Sequence, residues 1–198
     1  MDKGQYTPVA KALARKLTTA GCSKEYVGAV IEAVCKAAGV TVDAIMSSRT
    51  VSRAILKGGI AVELQIGHEI AQARTLTTGN DGTTNNHVVV EVRYMHVEHV
   101  DPLGNHQHKS FLLGVDPAVD HKSTTQLDGW TKKIKDIADL YSSSPFAHRQ
   151  KVSLKLNDFL QKWKGMHTDH SKDQKKLFKM AQELRAEVFY DILGFDRR

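Results

Sequence analysis

Asp81 is the residue whose place in this sequence most directly predicts chemistry. It lies in a short segment between Leu76 and Thr84, and an alternating run from His87 to Val97 follows. We predict that a strand stops at Asp81, that the chain turns at Gly82, and that it returns as a second strand. This arrangement would put one carboxylate on the rim of a sheet, where metal-dependent phosphoryl-transfer enzymes hold their ions.

A second chemical feature is a group of lysines in the first two turns of the last predicted helix: Lys172, Lys175, Lys176 and Lys179. Residues 1–70 carry nine Lys and Arg against six Asp and Glu, residues 71–142 seven against nine, and residues 143–198 twelve against seven. Basic ends around a mildly acidic centre suit a protein that binds a cation centrally and a polyanion at its ends. The lysines are accordingly interpreted as phosphate contacts, and a solvated basic face is the alternative.

The region 1–70 is predicted to be helical, with Thr7 and Pro8 starting the first helix. A later helix carries Val51 and Ile55 inward and therefore exposes Arg49, Ser52 and Arg53. A helix, a glycine turn and a second helix with such an exposed face are typical of a helix-turn-helix DNA reader, and plain helical packing is the alternative. The pair Gly58 and Gly59 predicts a hinge or a kink before a further helical segment.

The region 71–198 begins with a pattern of period two, typical of strands. Val88, Val90, Val92 and Tyr94 share one predicted face, and a turn between Asp101 and Asn105 leads to a strand with Phe111, Leu113 and Val115 on one face. Together with the segment before Asp81, these strands predict a three-strand antiparallel meander. Four histidines near its turn suggest a metal site, with an exposed hairpin end as the alternative: His96, His99, His106 and His108.

Three helices are predicted after the meander. The first begins with a capping box of Ser123 and Gln126 and carries an apolar stripe from Leu127 to Tyr141. The second runs from Val152 to Trp163. The last follows a capping box that begins at Ser171. A short further strand separates the last two helices. The fold class is therefore α/β (α+β), with a helical region 1–70 and a sheet-containing domain 71–198.

Composition narrows the class of protein. An apolar content of 41% in 198 residues suits one sizeable core with or without a small satellite. Cys22 and Cys35 are too few for a disulfide framework. The first twenty residues lack a continuous apolar stretch and no run is long enough to span a bilayer, so we expect no signal peptide, no membrane contact, and a nuclear or cytoplasmic location.

Four segments in this order and spacing resemble those of RNase H-like (DDE-type) transposase-derived proteins of mushroom-forming fungi. They are residues 48–55, the segment from Asp81 to Thr84, the segment from His121 to Trp130, and the segment from Asp169 to Lys176. The resemblance covers about residues 47–180. It implies an RNase H-like core, here partial.

The resemblance also implies roles for single residues. Asp81 matches the first catalytic and metal-binding acid and Asp169 the second, with His170 and Asp173 beside them. In such enzymes Mg²⁺ or Mn²⁺ activates a water or a 3′-hydroxyl for in-line displacement at phosphorus. The third acid normally follows a long helical insertion, whereas this sequence stops at Arg198, which predicts a core truncated before that acid.

The predicted function is that of a transposase-derived, DNA-binding protein with a partial divalent-metal site, unable to carry out strand transfer alone. Its expected partners are DNA and either further copies of itself or the remainder of a transposase. One alternative is a non-catalytic protein-interaction module in which Asp81 and Asp169 are relics. Another is a small metal-dependent nuclease that uses Asp81, Asp169 and Glu187.

Overall fold

The computed structural model describes residues 5–85, 88–120, 122–167, 169 and 171–194. The chain divides into two compact units, Met1–Val62 and Glu63–Arg198. The sequence had suggested a boundary at residue 70. The difference arises because one long helix contributes residues to both units.

The first unit contains α1 (Pro8–Thr19), α2 (Val27–Ala37) and the beginning of α3 (Ser48–Gln72). The hydroxyl of Thr7 accepts a hydrogen bond from the amide of Ala10 at 3.2 Å, so the predicted cap of α1 is present. The core of this unit is small. Its fully buried side chains are Ala14, Val27, Met46 and Val51.

Helix α3 is continuous from Ser48 to Gln72, so Gly58 and Gly59 do not separate two helices. A methyl group added to Gly59 would meet nothing within 4 Å, whereas one added to Gly58 would lie 2.5 Å from the side chain of Arg15. Gly58 is therefore a site of close helix packing. The inward positions of α3 in this unit are Val51 and Ala54, while Ile55 is 38% exposed.

The second unit is built on a four-stranded sheet of β1 (Thr75–Asn85), β2 (Val88–Val100), β3 (His106–Ala118) and β4 (Trp163–His167). The strand order is β3-β2-β1-β4. Neighbours β1 and β2 are antiparallel, β2 and β3 are antiparallel, and β1 and β4 are parallel. The predicted antiparallel meander and the short further strand are both present, in a mixed α and β architecture.

Three details of the predicted strands are wrong. Strand β1 continues through Asp81 and Gly82, because both residues pair with β2. In β3 the register shifts, because Arg93 pairs with Gly114 and the next residue, Tyr94, pairs with Leu112. The extra residue in β3 turns Val115 away from the core, and Val115 is 55% exposed. Trp163 begins β4 instead of ending a helix, since it pairs with Leu76.

The helices of the second unit pack on one face of the sheet. They are the part of α3 after Val62, α4 (Ser123–Ser142), α5 (Pro145–Gln150), α6 (Leu156–Lys162) and α7 (Lys172–Leu193). Their shared core includes Ile70 from α3, Met95 from β2, Ile134 from α4 and Leu160 from α6. No helix in the described part of the chain is long and apolar enough to cross a membrane.

Candidate functional site

Asp81 lies on the face of the sheet that the helices do not cover. Its strand neighbours Thr78 and Asn80 are buried, whereas Asp81 is exposed, as the alternation of a strand requires. Across the sheet it is paired with Val92. The carboxylate is therefore held on a paired strand and open to solvent.

Asp169 follows β4, which ends at His167. Gly79 is paired with His167 in the parallel ladder, and Asp81 and Asp169 each follow that pair by two residues. The Asp169 carboxylate accepts a hydrogen bond from the Ser171 amide at 3.1 Å, and Ser171 in turn caps α7. We refer to Asp81 and Asp169 as the rim pair. The two predicted acids therefore follow the last pair of the parallel ladder by the same number of residues.

A buried cluster of three amide side chains fixes α7 beneath this edge. The Asn80 Nδ2 group donates to Gln126 Oε1 at 3.1 Å, and Gln174 Nε2 donates to the same oxygen at 3.0 Å. Ser123 Oγ adds a bond to the carbonyl oxygen of Asp173 at 2.7 Å. This amide cluster, Asn80, Gln126 and Gln174, joins β1, α4 and α7 at the residue next to Asp81.

The amide cluster is not predicted from the sequence, because both glutamines fit the pattern of a capping box. Lys122 is the cap residue of α4, and Ser123 is the first helical residue. Ser171 does cap α7 by accepting from the Gln174 amide at 3.3 Å, but the side chain of Gln174 points to Gln126. The spacing gives a signal. Gln126 lies four residues before Trp130 and Gln174 three residues before Leu177, so both glutamines fall on the buried faces of their helices.

The predicted phosphate contacts are solvent-exposed. Lys172, Lys175, Lys176 and Lys179 all lie on the surface of α7, and Lys179 approaches Glu183 at 4.0 Å. Asp173 is also exposed in the first turn, where a negative charge interacts favourably with the helix dipole.

In the first unit, Arg49 and Arg53 are exposed and Ser52 is half-buried. The ten residues 38–47 separate α2 from α3, more than the short turn of a compact helix-turn-helix motif.

No group of three or more metal-ligating side chains converges within the described residues. Three of the four histidines have separate partners: His99 pairs with Glu69 at 2.7 Å, His106 with Glu98, and His96 with Ser110 at 2.7 Å. The metal site suggested for that turn is therefore wrong for these residues. His170, expected beside the rim, lies outside the described residues.

Glu187 is too far from the rim pair to complete it. It follows the first residue of α7 by fifteen positions, which corresponds to about 22 Å along the helix axis at 1.5 Å per residue. Two acids that share metal ions must approach within a few ångströms. The nuclease arrangement of Asp81, Asp169 and Glu187 is therefore not formed.

A buried ion-pair network on the helix-covered face was also missed. Arg93 is only 6% exposed and binds Glu91, which is fully buried, and Asp116 at 3.0 Å. These residues line a cavity of about 340 Å³ beside α4, where Gly129 leaves room for the guanidinium. Arg93 neutralises the buried Glu91, and the half-exposed Asp116 keeps contact with water, which indicates a structural role.

One carboxylate near this cavity has a strongly perturbed acidity. Hydrogen bonds from Lys122 and Thr125 lower the pKa of Asp120 to about 2. Asp120 precedes α4 and pairs with Lys122 at 2.9 Å. Its charge therefore helps to fix the entry to the helix that carries Gln126.

The chain matches no model of a known protein family, and a search of curated protein sequences finds no significant relative. Function must therefore be argued from the geometry.

Proposed function

We propose that this chain is a transposase-derived, DNA-binding protein whose second unit is a partial RNase H-like core, with a partial divalent-metal site that does not support strand transfer alone. The observation that carries the proposal is the sheet: an antiparallel meander whose first strand pairs in parallel with a fourth strand reached through helices. Strand β4 ends at His167 opposite Gly79, and the rim pair follows that last pair of the parallel ladder by two residues on each strand's continuation.

The surroundings of the rim pair support a polyanionic ligand. The amide cluster ties the first turn of α7 to Asn80, so the exposed Lys172 and Lys175 begin at the same edge as Asp81. Lysines bind phosphates as point charges, and a helix N-terminus adds a favourable field for anions. A phosphate backbone that passes the rim would therefore meet positive charge on α7.

The residues at the rim fit a weakly held ion. Carboxylate oxygens are the ligands that Mg²⁺ and Mn²⁺ prefer, but two carboxylates leave most of the coordination sphere to water. Two ions held firmly for in-line displacement need more ligands than the described residues bring together. We therefore expect binding of Mg²⁺ or Mn²⁺ without strand cleavage.

DNA binding is tested by reversing charge on α7. Lys175→Glu combined with Lys176→Glu should weaken binding to a duplex and reduce the slope of log affinity against log salt by about two, since each phosphate contact contributes about 0.9. Lys135→Glu combined with Lys151→Glu makes the same charge change at exposed positions elsewhere in the second unit. Equal effects of the two double variants would mean that α7 is not the contact surface.

The metal site is tested by thermal unfolding with and without Mg²⁺ or Mn²⁺. An ion that binds only the folded protein raises the melting temperature by mass action. Asp81→Asn should remove this response, and Asp81 is exposed, so the variant should still fold. A response that persists in Asp81→Asn would locate the ion elsewhere, and DNA cleavage by the unaltered protein would show that the site is complete.

A protein-interaction module remains the second candidate, supported by the surface of the first unit. Seven of its large apolar side chains are at least half exposed: Val9, Tyr26, Val34, Val40, Ile45, Leu56 and Val62. Exposed apolar side chains that form a contiguous patch mark contacts with other proteins. If neither DNA nor metal is bound in the tests above, this function is favoured.

A further inference from the structure

The face of the sheet away from the helices carries a row of three aromatic rings beside the rim. Tyr94 and His96 come from β2 and His167 from β4. Their ring centroids are 5.4 Å apart for Tyr94 and His96 and 5.6 Å apart for His96 and His167. We call these three residues the ring platform.

The platform belongs to the solvent side of the sheet. Tyr94 and His96 alternate with Arg93, Met95 and Val97, which are buried under the helices. Tyr94 and His96 are half-buried and His167 is exposed. None of the three belongs to the apolar core.

The rings are fixed in position. His96 Nδ1 lies 2.7 Å from Ser110 Oγ, and His167 Nε2 lies 3.3 Å from Thr77 Oγ1. A methyl group at Gly79 would lie 2.1 Å from Cζ of Tyr94, so the tyrosine ring reaches across the bare backbone of β1. Tyr94 and His96 meet at an interplanar angle of 69°, and His96 and His167 at 86°, so the platform presents both ring faces and ring edges. Rings that are already ordered bind without the entropic cost of ordering them.

We propose that the ring platform binds unpaired bases of single-stranded DNA next to the rim pair. This proposal rests on the proposed function and names the form of its substrate. Asp81 follows Gly79 by two residues on the same face, so a strand whose bases lie on the platform passes its backbone beside the acids. Nearby, Leu112 and Val115 of β3 are 58% and 55% exposed and extend the apolar surface.

The chemistry of the face favours a single strand over a duplex. Aromatic rings stack on bases whatever their sequence, but only when the base faces are accessible, and in a duplex they are covered by neighbouring pairs. The exposed lysines of α7 provide positive charge for the backbone, and the chain has a net charge of +6. Helix α7 packs on the opposite face of the sheet, so the phosphates reach its lysines where the strand leaves the platform at the edge beside β4, from which the chain enters α7.

The test is fluorescence anisotropy with labelled oligodeoxythymidine of about 15 nucleotides, a span covered by single-strand binding folds. A duplex and an oligouridine of the same length complete the set. We expect the single-stranded DNA to bind more tightly than the duplex. Tyr94→Leu should weaken its binding roughly fivefold or more without changing the salt slope, whereas Tyr94→Phe keeps the ring and should retain it.

The matched control is Tyr190→Leu, which removes a tyrosine that is 54% exposed near the end of α7. It should bind as the unaltered protein does. Since Tyr94→Leu could disturb the sheet, NMR of the unaltered protein gives a second readout. Stacked bases should move the ring protons of His96 and His167 upfield, and unmoved signals at saturating oligonucleotide overturn the proposal.

The outcomes separate this proposal from DNA binding itself. If Tyr94→Leu binds normally while the Lys175 and Lys176 double variant does not, the platform is wrong and the α7 surface stands. If neither single strand nor duplex binds, both proposals fail. Tighter binding of oligouridine than of the DNA assigns the platform to RNA, and a dimer that Tyr94→Leu dissociates assigns it to self-association; either result overturns the inference.

Discussion

Gly129→Ala should destabilise this protein, although alanine is the better helix former. Gly129 lies inside α4, where exchanging glycine for alanine normally stabilises by roughly 0.5–1 kcal/mol. Here the added methyl carbon would lie 2.4 Å from Nη2 of Arg93 and 3.1 Å from its Cζ. An ordinary contact begins near 3.4 Å, so the guanidinium would have to withdraw by 1.0 Å, the difference between 3.4 and 2.4 Å.

Arg93 has little freedom to withdraw. One nitrogen of its guanidinium is bonded to Glu91, which is fully buried, and another lies 3.0 Å from Asp116. Overpacking a well-filled site costs roughly 1–3 kcal/mol, and breaking a buried ion pair outright costs roughly 3–5 kcal/mol. After the helix gain is subtracted, we expect a net loss of about 1–3 kcal/mol and a melting temperature lower by about 2–12 °C.

The assay is urea and thermal unfolding followed by tryptophan fluorescence, because Trp130 and Trp163 both lie in the second unit. Gly59→Ala is the control, since it makes the same change inside α3 with no atom within 4 Å; circular dichroism should show stabilisation. If Gly129→Ala stabilises as much as Gly59→Ala, Arg93 is not held in place and the reasoning fails.

Two further predictions concern charged groups at helix ends. Lys122 and Thr125 lower the pKa of Asp120 from 3.8 to about 2, so the contribution of this carboxylate to stability is present above pH 3.8 and is lost as the pH falls towards 2. Lys122→Met should raise the midpoint of the Asp120 carboxyl titration followed by NMR. An unchanged midpoint would show that Lys122 does not lower this pKa. Lys162 donates to the carbonyl oxygens of Ile70 and Ala71 at 2.9 and 2.6 Å, at the end of α3. Lys162→Met should therefore destabilise by about 1–3 kcal/mol in urea unfolding, whereas a neutral effect would show that water replaces the ammonium group.

The alternation of β2 was readable from the sequence, but its inward face was not. One face offers Val90 and Val92, and the other offers Glu91 and Arg93 with Met95. Judged by polarity alone, the first face is the better core. The helices instead cover the second, because Glu91 and Arg93 neutralise each other and Met95 joins the apolar centre. A pairing of charges inside a core has no signature in hydrophobic periodicity.

The errors at Val115 and Trp163 have a common physical origin. A single extra residue in β3 reverses every later side chain, and a pattern of period two does not reveal where such a residue is inserted. Trp163 continues the apolar spacing of α6 but pairs with Leu76, 87 positions earlier in the sequence, counting from 76 to 163. Long-range pairing overrides local spacing in both cases. The end of β1 was misjudged for the same reason, since Gly82 stays in the strand by pairing with Glu91.

The neighbours Asn80 and Asp81 show how a strand can carry a charged site on an ordered support. Alternation turns Asn80 inward, where an amide can be satisfied by Gln126, and turns Asp81 outward, where a carboxylate keeps its hydration. A shift of one residue would bury the carboxylate among amide side chains and expose the asparagine. Because Gln126 also holds Gln174, the position of α7 depends on Asn80, whereas the charge of the rim depends on Asp81. A change at Asn80 therefore displaces the lysines and the rim together, and a change at Asp81 alters the charge of the rim alone.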